Sequence, residues 1–135
     1  MEYKFNDKND FELWLSTHVD HESIWIIFDK KKITSSLTPD EALDIALCYG
    51  WIDGLIKRID DQFYKKYFAK RLPKSVWSTK NKKSIERLIK SGQMKQAGLK
   101  VIEIAKSNGR WDQGDDHPID YSIDVINTGS EIFTA

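Results

Sequence analysis

The apolar and polar positions of this 135-residue chain switch between a helical and a strand-like period. Asn9 and Glu12 have the spacing of a capping box, and Phe11, Trp14, Leu15 and His18 then share one helical face. Residues 23–29 hold the run IWIIF between charged neighbours, which predicts a buried strand. The stretch KKKITSS reads as a loop. Thr38-Pro39-Asp40-Glu41 is the clearest helix start in the chain: Thr38 can cap, Pro39 suits the first helical position, and Glu41 can close the box. From Ala42 to Tyr49 only Asp44 is polar, so this helix should be central and buried, with Gly50 ending it. Residues 51–59 and 62–69 predict two strands around Asp60-Asp61, rich in Ile, Phe and Tyr with interleaved charges. A Pro-containing connection, 72–78, leads to a helix capped by Ser78 or Asn81, with Ile85, Leu88 and Ile89 on its inner face. Met94, Ala97, Gly98, Val101, Ile102 and Ala105 mark a last amphipathic helix, stopped by Asn108-Gly109.

These elements predict an α+β fold, with about four helices packed on a small antiparallel sheet of about three strands, because the hairpin connections are short. Length favours one domain, placed at 1–111. Residues 112–135 are acidic, lack a helical period and carry Gly114, Pro118 and Gly129. They are expected to form a loosely ordered tail with one hint of strand alternation at Tyr121, Ile123, Val125 and Asn127.

Composition narrows the class. One cysteine excludes an internal disulfide and any Cys-only zinc cluster. No apolar run is long enough to span a membrane, and the first residues carry no signal-peptide core, so a cytoplasmic protein without a membrane span is expected. Lys+Arg and Asp+Glu are both 21, which argues against a wholly basic nucleic-acid binder. The charge is segregated, however. Residues 1–53 hold 5 basic and 11 acidic side chains, residues 54–110 hold 16 and 4, and residues 111–135 hold none and 6. The blocks either neutralise one another in the fold or expose the middle one to an anionic partner.

The candidate chemistry falls in that middle block. Lys74-Ser75-Val76-Trp77-Ser78 precedes a helix N-terminus, where exposed amides favour anions. Arg71, Lys74, Ser75, Ser78 and Asn81 could cradle a phosphate or carboxylate; the plainer reading has Ser78 as a cap and Trp77 as core. Asp53 starts the hairpin next to Gly54, a position suited to a bulge or a close backbone approach. It reads either as an ion pair with Arg71 or Lys57 or as part of a cleft with Arg71 and Lys74. Arg110 lies beside Trp111, the tryptophan expected to be most exposed. His18 and His21 are too few to make a metal site, Cys48 reads as an inert buried thiol, and nothing implies a cofactor or a catalytic triad.

One resemblance organises these residues. Glu41-Ala42-Leu43 and Cys48-x-Gly50-Trp51-Ile52-Asp53-Gly54 come first. Lys57, Asp60, Tyr64 and Phe68 follow, then Arg71-x-x-Lys74-Ser75-x-Trp77-Ser78-x-x-Asn81. Leu88-Ile89, Gly92, Met94, Ala97-Gly98, Ala105 and Gly109-Arg110-Trp111 complete the pattern. With Phe11-x-x-Trp14-Leu15 and the strand around Trp25, it resembles the YdeI/OmpD-associated (OmdA) family of bacteriocin-protection proteins over roughly residues 9–112. Lys70 stands where members usually carry Pro, and the region after Trp111 departs from the helical continuation common in that family. The resemblance implies a bacterial stress-protection protein with an envelope or porin-linked partner, and no agreed catalytic residues. The expected function is therefore non-enzymatic binding, with a small anionic ligand in a cleft. Two alternatives remain. One is a nucleic-acid module using segment 54–110, with Tyr64, Tyr67 and Phe68 stacking on bases. The other is an enzyme for a small anionic substrate, with Asp53 as acid/base and Arg71 as clamp.

Overall fold

A computed structural model describes residues 1–31 and 36–113. Residues 32–35 of the expected loop, and the features expected at Gly114 and beyond, including the alternation at 121–127, lie outside the described residues.

Strand β1 (Glu2–Tyr3) leads into helix α1 (Lys8–Thr17) and strand β2 (Ser23–Asp29). Helix α2 (Pro39–Cys48) precedes the hairpin β3 (Trp51–Arg58) and β4 (Phe63–Lys70). Helices α3 (Thr79–Lys90) and α4 (Gln96–Ser107) and a 3₁₀ turn (Arg110–Asp112) follow. The fold is α+β. The four-stranded sheet runs β1-β2-β4-β3. Its three long strands are antiparallel as expected, but β1 adds a parallel edge, with Glu2 opposite Trp25 and Tyr3 opposite Ile26. Two residues carry no period of their own, so this strand exists only through its pairing.

Most boundaries follow local chemistry. Thr38 accepts from the Glu41 amide at 3.1 Å while Glu41 accepts from the Thr38 amide at 3.1 Å, the reciprocal box. The cap of α1 is Asp7, which accepts from the Asp10 amide at 3.0 Å, and not Asn9 as the sequence suggested. The hairpin turn is held by Asp60, whose Oδ1 accepts from the Gln62 and Phe63 amides at 2.8 and 2.9 Å. Those donors hold its carboxyl below the ordinary range. Register shifts by one residue between Asp53 and Ile56, so β3 carries a bulge at Gly54-Leu55.

Two apolar clusters meet on α2. Phe11, Trp14 and Leu15 of α1, with Ala42 and Ala46 of α2, cover one sheet face against Ile24, Ile26, Phe28, Trp51 and Phe68. Leu47 and Cys48, near the end of α2, instead join Trp77, Ile85, Leu88, Ile102 and Ala105 of the C-terminal half. Ile89, expected inside, is 45% exposed on the rim of α3. The α2–α4 contact is close enough to need glycine. A Cβ on Gly98 would sit 2.4 Å from the Cys48 carbonyl oxygen. Gly50 turns the chain out of α2 at φ +81°, where a Cβ would also stand 3.0 Å from the Ala97 carbonyl oxygen.

Candidate anion-binding site

The link from β4 to α3 folds back on the end of α4. The Arg71 amide donates to the Gly50 carbonyl at 2.9 Å, fixing the exit of β4 beside the end of α2. Arg71 is 7% exposed. Its guanidinium carbon lies 3.5 Å from the centroid of the Trp77 ring, and its Nη1 donates to the Val76 carbonyl at 3.2 Å. Trp77 is buried and its ring meets that of Trp111 at 5.1 Å. Lys82 and Lys106 bring their ammonium groups to 5.8 and 5.0 Å from the Trp111 ring. Lys82 Nζ also donates to the Trp111 carbonyl at 3.0 Å. Asn108 Nδ2 donates to the Pro73 carbonyl at 2.8 Å, clasping the link to the end of α4. The result is a run of alternating cations and indoles: Arg71, Trp77, Trp111, and then Lys82 and Lys106.

Such contacts are attractive because the ring face is electron-rich, and a desolvated pair is worth about 2 kcal/mol. The stack also holds several positive charges within one small region. Lys74 and Lys80 are exposed beside it, and Arg110 is half-buried, with Nη1 donating to Gln113 Oε1 at 3.4 Å. The first turn of α3 contains no acidic residue, so the positive end of that helix adds to the field.

The expected site residues divide into two groups. Arg71, Lys74, Ser75, Ser78, Asn81 and Arg110 come to this region. Both serines also have structural work: Ser75 Oγ accepts from the Leu72 amide at 3.1 Å, and Ser78 Oγ accepts from the Asn81 amide at 3.1 Å. Neither bond uses the hydroxyl proton, which is left to donate. Asp53 and Lys57 stay on the hairpin. Asp53 pairs with Lys66 at 2.8 Å, a diagonal cross-strand ion pair, and not with Arg71 or Lys57. Lys57 is exposed, opposite Lys65. Lys82 and Lys106 were not singled out by the sequence. Their only local signal is their place near Trp77 and Trp111, and the pairing of those indoles is non-local.

The hairpin aromatics do not form one stacking surface. Phe68 is fully buried, Tyr64 packs on the first cluster, and Tyr67 lies on the other face with its ring 5.2 Å from Trp25. The two histidines enclose an indole: His18 stacks on Trp14 at 4.5 Å, and His21 meets it edge-on at 5.3 Å. Among the described residues no three His, Cys, Asp or Glu side chains gather as a metal site. Cys48 is buried, and desolvation, with Asp44 and Glu12 adding to it, pushes its thiol up to about 11. No helix among the described residues is long and apolar enough to cross a membrane.

Residues 3–101 match the model of a family described as "Domain of unknown function (DUF8412)". No curated protein and no solved structure matches the chain.

Proposed function

The chain belongs to the DUF8412 family, and we propose that it is a non-enzymatic binding protein for an anionic ligand, serving bacterial stress protection. One observation carries the ligand class: the stack of Arg71, Trp77 and Trp111, with Lys82 and Lys106 on the outer indole, at an α3 N-terminus without acidic residues. The buried Trp77 and the half-buried Trp111 fix the spacing of the cations, so little side-chain entropy is lost when an anion is engaged. Lys74, Lys80 and Arg110 draw the ligand in, and the hydroxyls of Ser75 and Ser78 with the amides of the first α3 turn orient its oxygens. A phosphate- or carboxylate-bearing molecule suits this set. The commitment of Asp53 to Lys66 favours binding over turnover, because it takes the one acid/base candidate away from the cations. The protective role and an envelope or porin-linked partner rest on the likeness of residues 9–112 to the YdeI/OmpD-associated proteins, with action from the cytoplasm.

The test is a titration of the full chain with inorganic pyrophosphate at low ionic strength, followed by amide NMR. Shifts at Ser75, Ser78 and Asn81 that shrink in Lys106→Glu and on adding salt are the expected result. Unmoved signals at all three positions overturn the ligand class. A deletion strain that survives bacteriocin and cationic-peptide challenge as well as its parent overturns the protective role.

A further inference from the structure

We infer that the outer face of the sheet is a second binding surface, suited to a single-stranded nucleic acid and separate from the cluster around Trp111. The strand register defines that face. Ile24, Ile26 and Phe28 belong to the first apolar cluster with α1 and α2, so Trp25 and Ile27 lie on the opposite side of β2. Their partners across the ladder, Tyr67 and Lys65, share that side. Phe63 at the start of β4 and Lys57, which faces Lys65 from β3, complete it. Trp25, Ile27, Phe63 and Tyr67 are half-buried, and among the described residues none of them joins either apolar cluster. Ile52, at the start of β3, does meet the second cluster, so the open part of the face lies toward the hairpin turn. A sheet with helices on one face and aromatic side chains on the other is a recurrent platform for unpaired bases.

Two features choose the occupant. The first is an alternation of rings and cations. Phe63, Lys65 and Tyr67 are two residues apart on one strand, so their side chains repeat every ~6.8 Å along the same face. Tyr67 meets the Trp25 ring at 5.2 Å, and Lys65 Nζ lies 4.8 Å from the centroid of that indole. Lys4 Nζ lies 5.7 Å from the centroid of Phe63. An unpaired strand carries flat bases between phosphates, and so offers a partner to ring and cation in turn. The second feature is charge. Lys57 and Lys65 stand directly opposite one another, an arrangement that destabilises a hairpin. Lys65 donates to Glu2, and that bond, with the charges of Lys65 and Lys57, holds the Glu2 carboxyl below the ordinary range. Asp29 is taken by Lys4 at 3.1 Å. One carboxylate thus serves two lysines, and an incoming phosphate would relieve the repulsion. An acidic peptide would answer the charge but brings no stacked bases to the rings. A second copy meeting this face with its own would add two more lysines to it.

The experiment titrates a short fluorescein-labelled oligothymidylate with the full chain and reads its anisotropy at low and at moderate salt. Saturable binding that weakens with salt is the expected result. Tyr67→Thr, which keeps a strand-forming residue, should bind about tenfold more weakly through the loss of one stacking ring. Lys57→Glu should also bind more weakly and lower the salt slope by about one. Its melting temperature should hold or rise, because a glutamate then faces Lys65, so a loss of binding there is not a loss of fold. Lys106→Glu should stay within about twofold of the native chain, since the Trp111 cluster takes no part. No anisotropy change with the native chain at low salt overturns the proposal. So does binding that Lys106→Glu abolishes while Tyr67→Thr and Lys57→Glu keep it, a result that leaves the anion site at α3 standing. Polyglutamate that displaces the oligonucleotide at equal charge assigns the face to an acidic peptide, and a dimer in sedimentation that Tyr67→Thr breaks assigns it to a second copy; either overturns the nucleic-acid reading.

Discussion

Cys48 shows how burial sets the behaviour of one side chain. Its thiol is 5% exposed in the second apolar cluster, and burial raises its pKa to about 11. Tyr49 next to it is pushed up to about 12, by desolvation first and then by the nearby Glu12 carboxylate, to which it donates at 3.2 Å. Both groups are neutral in the folded state at pH values where the unfolded chain has begun to lose its protons. The folded state then binds more protons, so stability is fully present below the ordinary thiol range and is lost as pH rises toward 11. The melting temperature of the native chain should fall above about pH 9, and Cys48→Ala should flatten the first part of that fall. At pH 7.5 iodoacetamide should leave Cys48 unmodified until denaturant is added; rapid labelling of the native chain contradicts this account. Asp53 makes a second residue-level case. Its ion pair with Lys66 is only partly exposed, so Asp53→Asn should cost about 1 kcal/mol, measured by urea denaturation. Pyrophosphate affinity should not change.

At the level of elements, the helix starts and the main strands were written in short-range patterns. Thr38-Pro39-Asp40-Glu41 and Ser78 needed no tertiary knowledge, because a cap acts within one turn of its own helix. Where two local patterns competed, the reading slipped: Asn9 with Glu12 and Asp7 with Asp10 share the same spacing, and the Asp7 pair is the one that forms. The exposure of Ile89 could not be read because it depends on how α3 tilts across α2. Strand β1 and the Trp77–Trp111 contact were illegible for a related reason, since both are made by residues far apart in sequence. The candidate site was therefore half visible. The cations and serines of 71–81 stood out, but the ring that organises them comes from residue 111. Two substitutions probe these elements by calorimetry. Ser78→Ala removes the α3 cap and should cost about 1 kcal/mol. Gly98→Ala forces a Cβ to 2.4 Å from the Cys48 carbonyl oxygen, and should cost about 1–3 kcal/mol unless α4 moves away. If Gly98→Ala melts at or above the native temperature, the tight α2–α4 contact is wrong.

On the scale of the whole molecule, the charge blocks acquire a place. The middle block does not cover one uniform face. Lys65 and Lys66 are tied to Glu2 and Asp53 on the hairpin, and Arg87 donates to Asp44 at 2.8 Å. Part of the positive charge is thus answered by the acidic first block, residues 1–53. The cluster around Trp111 is organised differently, with its cations gathered on indoles and on the mouth of α3. That division keeps a group of cations together within a chain of no net charge.

Helix α2 belongs to both apolar clusters, through Ala42 and Ala46 on one side and Leu47 and Cys48 on the other. It acts as a keel, since neither half of the protein can loosen while the other stays intact without exposing part of the same helix. Deuterium should therefore enter the amides of Ala46, Leu47 and Cys48 only when the entire chain opens, at a rate set by global stability.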